Sequence, residues 1–133
     1  MRTENKELLL RDLCARLPYG VKVGTTDNDG SLENVWDTLW FNTFTEDVKL
    51  THSIEDADKI IDISETKPYL FPLSSMTIEQ KEEERSLKEE SYYSFDANEN
   101  IYTLQDFYNK NHLDYRGLIP KGLAIDATGL NIY

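Results

Sequence analysis

The 133 residues predict one α+β domain: an N-terminal helix, a small antiparallel sheet or SH3-like barrel, then C-terminal helices and a docked tail. Three observations predict it. The apolar period is 3.6 at the start of the chain, falls to 2 from about residue 21, and returns to helical spacing after residue 77. Turn signals separate the middle apolar runs at short intervals, as in an antiparallel meander. The last sixteen residues carry Leu118, Ile119, Leu123, Ile125, Leu130 and Ile132, too much apolar surface for a free end.

The elements follow in order. Leu9, Leu10, Leu13, Cys14 and Leu17 recur three and four apart, so residues 3–17 form a helix with one apolar stripe. Thr3 suits its start, and Pro18 and Gly20 end it. Arg11 and Arg16 are expected off the stripe, near its polar edge. Val21 to Val23 opens a strand, and Asp27-Asn28-Asp29-Gly30 reads as a hairpin turn. Residues 32–42 alternate, with Val35, Leu39 and Phe41 on one face and Trp36, Thr38 and Trp40 on the other. Val48, Leu50 and Ile54 mark a third strand, and Ile60, Ile61 and Ile63 a fourth. Pro68 and Pro72 forbid a regular helix, so residues 67–73 are expected as an extended strap across the barrel. Thr77 and Gln80 form a capping box ahead of a charged, largely solvated helix over residues 78–90. Thr103 to Asp106 is a second capping signal before Leu104, Phe107 and Tyr108.

Charge is unevenly spread. The net charge is −11. Residues 26–65 carry eleven acids against Lys49 and Lys59, and residues 76–106 carry nine acids against three bases, while both ends are mildly basic. Such a middle repels phosphate backbones, which argues against general nucleic-acid binding and suits a basic partner surface or simple solubility. There is one cysteine, so no intramolecular disulfide can form, and no apolar run approaches membrane-spanning length. The start of the chain lacks the apolar core of a signal peptide. Together these predict a soluble protein of a reducing cytoplasm, with no membrane partner.

Chemistry-bearing constellations are few. Asp27 to Gly30 is only a partial match to a calcium loop, because Glu33 comes too early for the bidentate ligand. One cysteine and two distant histidines, His52 and His112, do not make a structural zinc site, so no metal or cofactor is expected. No phosphate-binding loop or dinucleotide fingerprint occurs. Trp36 and Trp40 on one strand face are either core or an aromatic platform. Arg11, Arg16, Lys22 and Arg116 would make a local anion site if they converged. The densest stretch is His112 to Arg116. A catalytic reading makes His112 a base oriented by Asp114. A structural reading ends a helix at Asn111-His112, pairs Asp114 with Arg116, turns Tyr115 into the core and bends at Gly117. With no nucleophile or metal beside the pair, the structural reading is preferred, and no catalytic residue is assigned.

Three stretches, KELLLRDLCARLPYGVKV (6–23), KPYLFPLSSMT (67–77) and YNKNHLDYRGLIPKGLAIDA (108–127), cover roughly a third of the chain. In their wording the chain resembles a family of small uncharacterised proteins encoded by phages and prophages of gut bacteria. The resemblance implies an accessory phage gene acting in the bacterial cytoplasm, and implies neither mechanism nor site residues. The expected function is a non-catalytic binder that antagonises host defence, by sequestering a small nucleotide signal or by inhibiting a defence protein. A carboxylate-based enzyme, with or without a metal, and a virion structural or assembly protein are the alternatives. The partner is a host protein or a small anionic ligand, and a homo-oligomer is compatible with all three.

Overall fold

The computed structural model describes residues 3–26, 32–42, 45–52, 57–93 and 103–133. The turn at 27–30, Ile54 and the segment 94–102 lie outside the described residues. Helix α1 (Thr3–Arg16) is followed by a single 3₁₀ turn, Leu17–Tyr19. Gly20 then takes the left-handed conformation (φ 72°), and its N–H bonds to the Leu17 carbonyl, which turns the chain into the sheet.

Four strands form a meander: β1 (Lys22–Thr26), β2 (Leu32–Asn42), β3 (Asp47–His52) and β4 (Ala57–Asp62). A 3₁₀ turn, Ile63–Glu65, leads to β5 (Thr66–Leu70), which returns antiparallel beside β1. Residues 67–70 are therefore a paired strand, where the sequence suggested a strap. Helix α2 (Ile78–Tyr93), helix α3 (Leu104–Lys110) and a two-residue strand β6 (Ile125–Asp126) complete the chain. The strand order is β4-β3-β2-β1-β5-β6. The last pair is parallel, so the sheet is mixed rather than antiparallel throughout. Among the described residues no ladder joins β4 to β6, so the sheet stays open and does not close into a barrel.

Both capping signals are realised. Thr77 N–H donates to Gln80 Oε1 and Gln80 N–H to Thr77 Oγ1. Thr103 and Asp106 make the same reciprocal pair at α3. The described part of α2 is mostly solvated, with Leu87 as its buried anchor.

One face of the sheet holds the main core. Leu9 and Leu13 of α1 pack with Val21, Val23, Trp36, Val48, Leu50, Ile61, Ile63 and Leu70, and the tail adds Leu118, Leu123 and Ala124. A second cluster joins Leu87, Phe107, Tyr108 and Leu113. The tail is thus docked twice, by apolar burial and by backbone pairing. Phe71 N–H donates to the His112 carbonyl and Asp114 N–H to the Phe71 carbonyl, while Ala127 N–H donates to the Leu70 carbonyl.

Strand β2 departs from simple alternation. Thr38 pairs with Leu50, but Trp40 pairs with Lys49, so β2 carries one extra residue there. A bulge of this kind moves every following side chain to the opposite face. Trp36 lies in the core while Trp40 is outside, and Phe41 packs on the core. The two tryptophans do not share a face as the alternation suggested.

Candidate functional site

Two constellations combine aromatic and charged groups, one inside and one on the surface. The inner one starts on α1. Its buried positions are Leu9, Asp12, Leu13 and Arg16, so the inward stripe is half apolar and half ionic. Arg16 is fully buried, contrary to its expected place near the polar edge. Its Nε donates to Asp12 Oδ2 at 2.8 Å, one helical turn back, and its Nη2 donates to the Leu113 carbonyl at 2.6 Å. Arg116 Nε stands 3.7 Å from the other Asp12 oxygen. One buried carboxylate therefore lies between two guanidinium groups. Burial pushes the Asp12 carboxyl up, against the downward pull of Arg16 and Arg116.

The stretch 112–116 wraps around this pair. Asp114 is buried and accepts the N–H groups of Leu118 and Ile119, both at 2.8 Å. It closes a turn at Gly117 (φ 72°) instead of pairing with Arg116. Tyr115 is half-buried, stacked on Tyr108 at 5.0 Å, with Arg116 4.9 Å and Arg16 5.3 Å from its ring centre. Arg116 Nη2 also donates to the Tyr115 hydroxyl. His112, left-handed at φ 56°, stacks on the Tyr133 ring at 3.5 Å rather than contacting Asp114. Burial, then the positive charges of Arg16 and Lys22, hold its imidazole down at about 4. The Tyr133 hydroxyl receives the Lys22 N–H and donates to the Tyr69 carbonyl.

Of the four cationic residues singled out in the sequence, Arg16 and Arg116 meet at Asp12. Lys22 contributes its backbone N–H to Tyr133 and holds its Nζ 4.0 Å from Asp37. Arg11 is exposed on α1. Arg16 Nη1, Arg116 Nη1 and His112 Nδ1 are buried without a hydrogen-bond partner among the described residues. Cys14 is half-buried, and burial pushes its thiol up, which suits a packing role. An open groove of about 290 Å³ lies nearby, lined by Phe71, Ser75, Thr77, Gln80, Asn111 and Leu113 among others, with no charged side chain. Among the described residues no three His, Cys, Asp or Glu side chains gather closely enough to hold a metal ion. No helix among them is long and apolar enough to cross a membrane.

The outer constellation lies on the far side of β2, β3 and β4. Val48, Leu50 and Ile61 face the core, so alternation sends Lys49 and Ile60 outward. Trp40 pairs with Lys49 and Lys49 with Ile60, so the three stand in one row across the strands. Trp40 is 39% exposed and Ile60 58%. Acids flank this row. The row on one side is Asn42, Asp47 and Asp62; on the other, Asp37 and Thr51 are in register with Asp58. Lys6 bridges Glu46 and Asp62, one cation against two acids. Asp62 is held low by the Ser64 hydroxyl and N–H, so it stays ionised.

Comparison with protein families, with curated proteins and with solved structures finds no match. The site must therefore be argued from its geometry. Sequence reasoning missed Asp12, although an Asp–Arg pair four apart, one residue off the leucine stripe, was a readable signal. It missed Tyr133, a lone terminal aromatic that nothing local distinguishes. It also missed the Trp40–Lys49–Ile60 row, because a cross-strand row depends on register and on a bulge.

Proposed function

We propose that this protein is a non-catalytic accessory protein of the phage type that acts by binding a protein partner, in keeping with antagonism of a host-defence protein. One observation carries the reading: an aromatic–aliphatic row, Trp40 to Ile60, lies exposed between acidic rows on the open sheet face. A partly apolar strip with a polar rim is the usual anatomy of a protein interface. The acidic rim favours a basic partner and raises its encounter rate. The chemically dense stretch 112–116, by contrast, is spent inside. Asp114 caps backbone, Arg16 and Arg116 share Asp12, and His112 is covered by Tyr133.

A second reading, a small anion held by Arg16 and Arg116, draws on their unpartnered Nη1 atoms. Closure of Arg16 from solvent and the carboxylate already between the two groups count against it.

The test is affinity capture from host lysate with the natural protein and with Trp40→Ser and Ile60→Thr variants. Both variants are expected to fold as the natural protein does and to lose the captured protein. A partner retained equally by both variants, or retention of an intact nucleotide instead of a protein, overturns the reading.

A further inference from the structure

Resting on that binding reading, we infer that the partner engages by adding a strand along β4, and that this strand carries the pattern basic–x–apolar–x–basic. Strand β4 is one edge of the sheet, and its only ladder among the described residues is with β3. That ladder is regular from Asp47–Asp62 to His52–Ala57, with no bulge and no proline in the edge strand. Natural edges of this length are commonly blocked by a bulge, a proline or a covering segment. The opposite edge, β6, has two residues and offers no comparable template.

The register dictates the pattern. Positions 58, 60 and 62 of β4 share one side of the pleat and read Asp, Ile, Asp. They are the last members of the three outer rows, acidic, apolar and acidic in turn. A strand laid beside β4 extends each row by one residue. Opposite Ile60, and continuing from Trp40 and the Lys49 stem, an apolar side chain gains cross-strand contact. Opposite Asp58 and Asp62, lysine or arginine gains charge pairing. The backbone supplies affinity and the alternate side chains supply specificity, as in other strand additions.

The same register argues against a second copy of this chain. An antiparallel pair of β4 strands centred on Ile60 would set Asp58 of each copy opposite Asp62 of the other. Like charges directly opposite destabilise a ladder. The edge is thus guarded against itself and open to a basic strand.

The test uses a short synthetic peptide with lysine, isoleucine and lysine at successive same-face positions, read by fluorescence anisotropy. Two N-methylated versions block alternate sets of its amides. The set that faces β4 should weaken binding about tenfold or more, the scale of losing one or two net backbone hydrogen bonds, and the other set should leave it unchanged. Glutamate in place of the lysines should abolish binding, and Asp58→Lys should transfer preference to the glutamate peptide. If both N-methylated peptides bind as well as the parent and Trp40→Ser still removes binding, strand addition is wrong and the face-binding reading stands. If lysine and glutamate peptides bind alike to the natural protein, the charge pattern is wrong.

Discussion

The clasp around Asp12 and the row around Lys49 use the same kinds of residue for opposite ends. Each sets a basic side chain among aromatic or aliphatic groups, with carboxylates beside it. In the clasp every charge is turned inward, and the partners come from residues about a hundred positions apart. On the sheet face the neighbours come from adjacent strands, and Trp40 and Ile60 are left to solvent. In a low-dielectric interior a charge must be paired or it is costly. On the surface the same groups are cheap to expose and free to meet another molecule. Solvent access, more than residue type, therefore separates fastening from recognition.

The sharpest way to break the contrast is at Asp12. Asp12→Ala leaves two guanidinium groups without their shared carboxylate and should cost about 3–5 kcal/mol, the usual loss when one partner of a buried ion pair is removed. Urea unfolding measures it directly. An Asp12→Leu/Arg16→Met pair should recover much of that loss, since apolar residues of similar volume replace a buried pair at little cost. A small effect of Asp12→Ala would mean that the clasp is solvated and that the two regions do not differ.

A smaller effect is expected from pH. His112 titrates at about 4 in the fold and near 6.5 unfolded. Between those values the unfolded chain binds the extra proton, so stability rises with pH across the window and falls on acidification. The raised Asp12 carboxyl acts in the opposite sense, because the folded state then holds its proton more tightly. An His112→Asn variant, tolerant of the left-handed backbone, removes the histidine contribution alone. Its melting temperature should depend less steeply on pH between about 4 and 6.5 than that of the natural protein. Identical slopes would show that His112 is not buried beneath Tyr133 in solution.

The smallest effect belongs to the outer row. Ile60→Thr and Trp40→Ser should shift stability by no more than about 0.5 kcal/mol each, as exposed positions away from special features do. Loss of stability comparable to that at Asp12 would make the row part of the fold and not a surface held open.

Local pattern carried much of the architecture. The leucine spacing of α1, the capping boxes at Thr77 and Thr103, the turn at Gly20 and the apolar tail all report on neighbours within a few residues. These signals placed the helices and most strands, and they predicted that the tail docks. Arg16 was misplaced because one helical turn cannot tell whether a charge beside an apolar stripe will find a buried partner. Its partners, the Leu113 carbonyl and Tyr115, lie at the far end of the chain. Asp114 and Arg116 were read as a pair because extended spacing was assumed, whereas the bend at Gly117 sends them to different targets. The tryptophans were misassigned to one face because a single extra residue in β2 reverses alternation, and nothing in the spacing of Trp36 and Trp40 announces it.

The sequence by itself determined the class of fold, the order of its elements and the concentration of acid in the middle of the chain, because periodicity, caps and charge act over short distances. The tertiary structure alone decided which charged groups were withdrawn and which presented, because that depends on register, on one bulge and on contacts across the length of the chain.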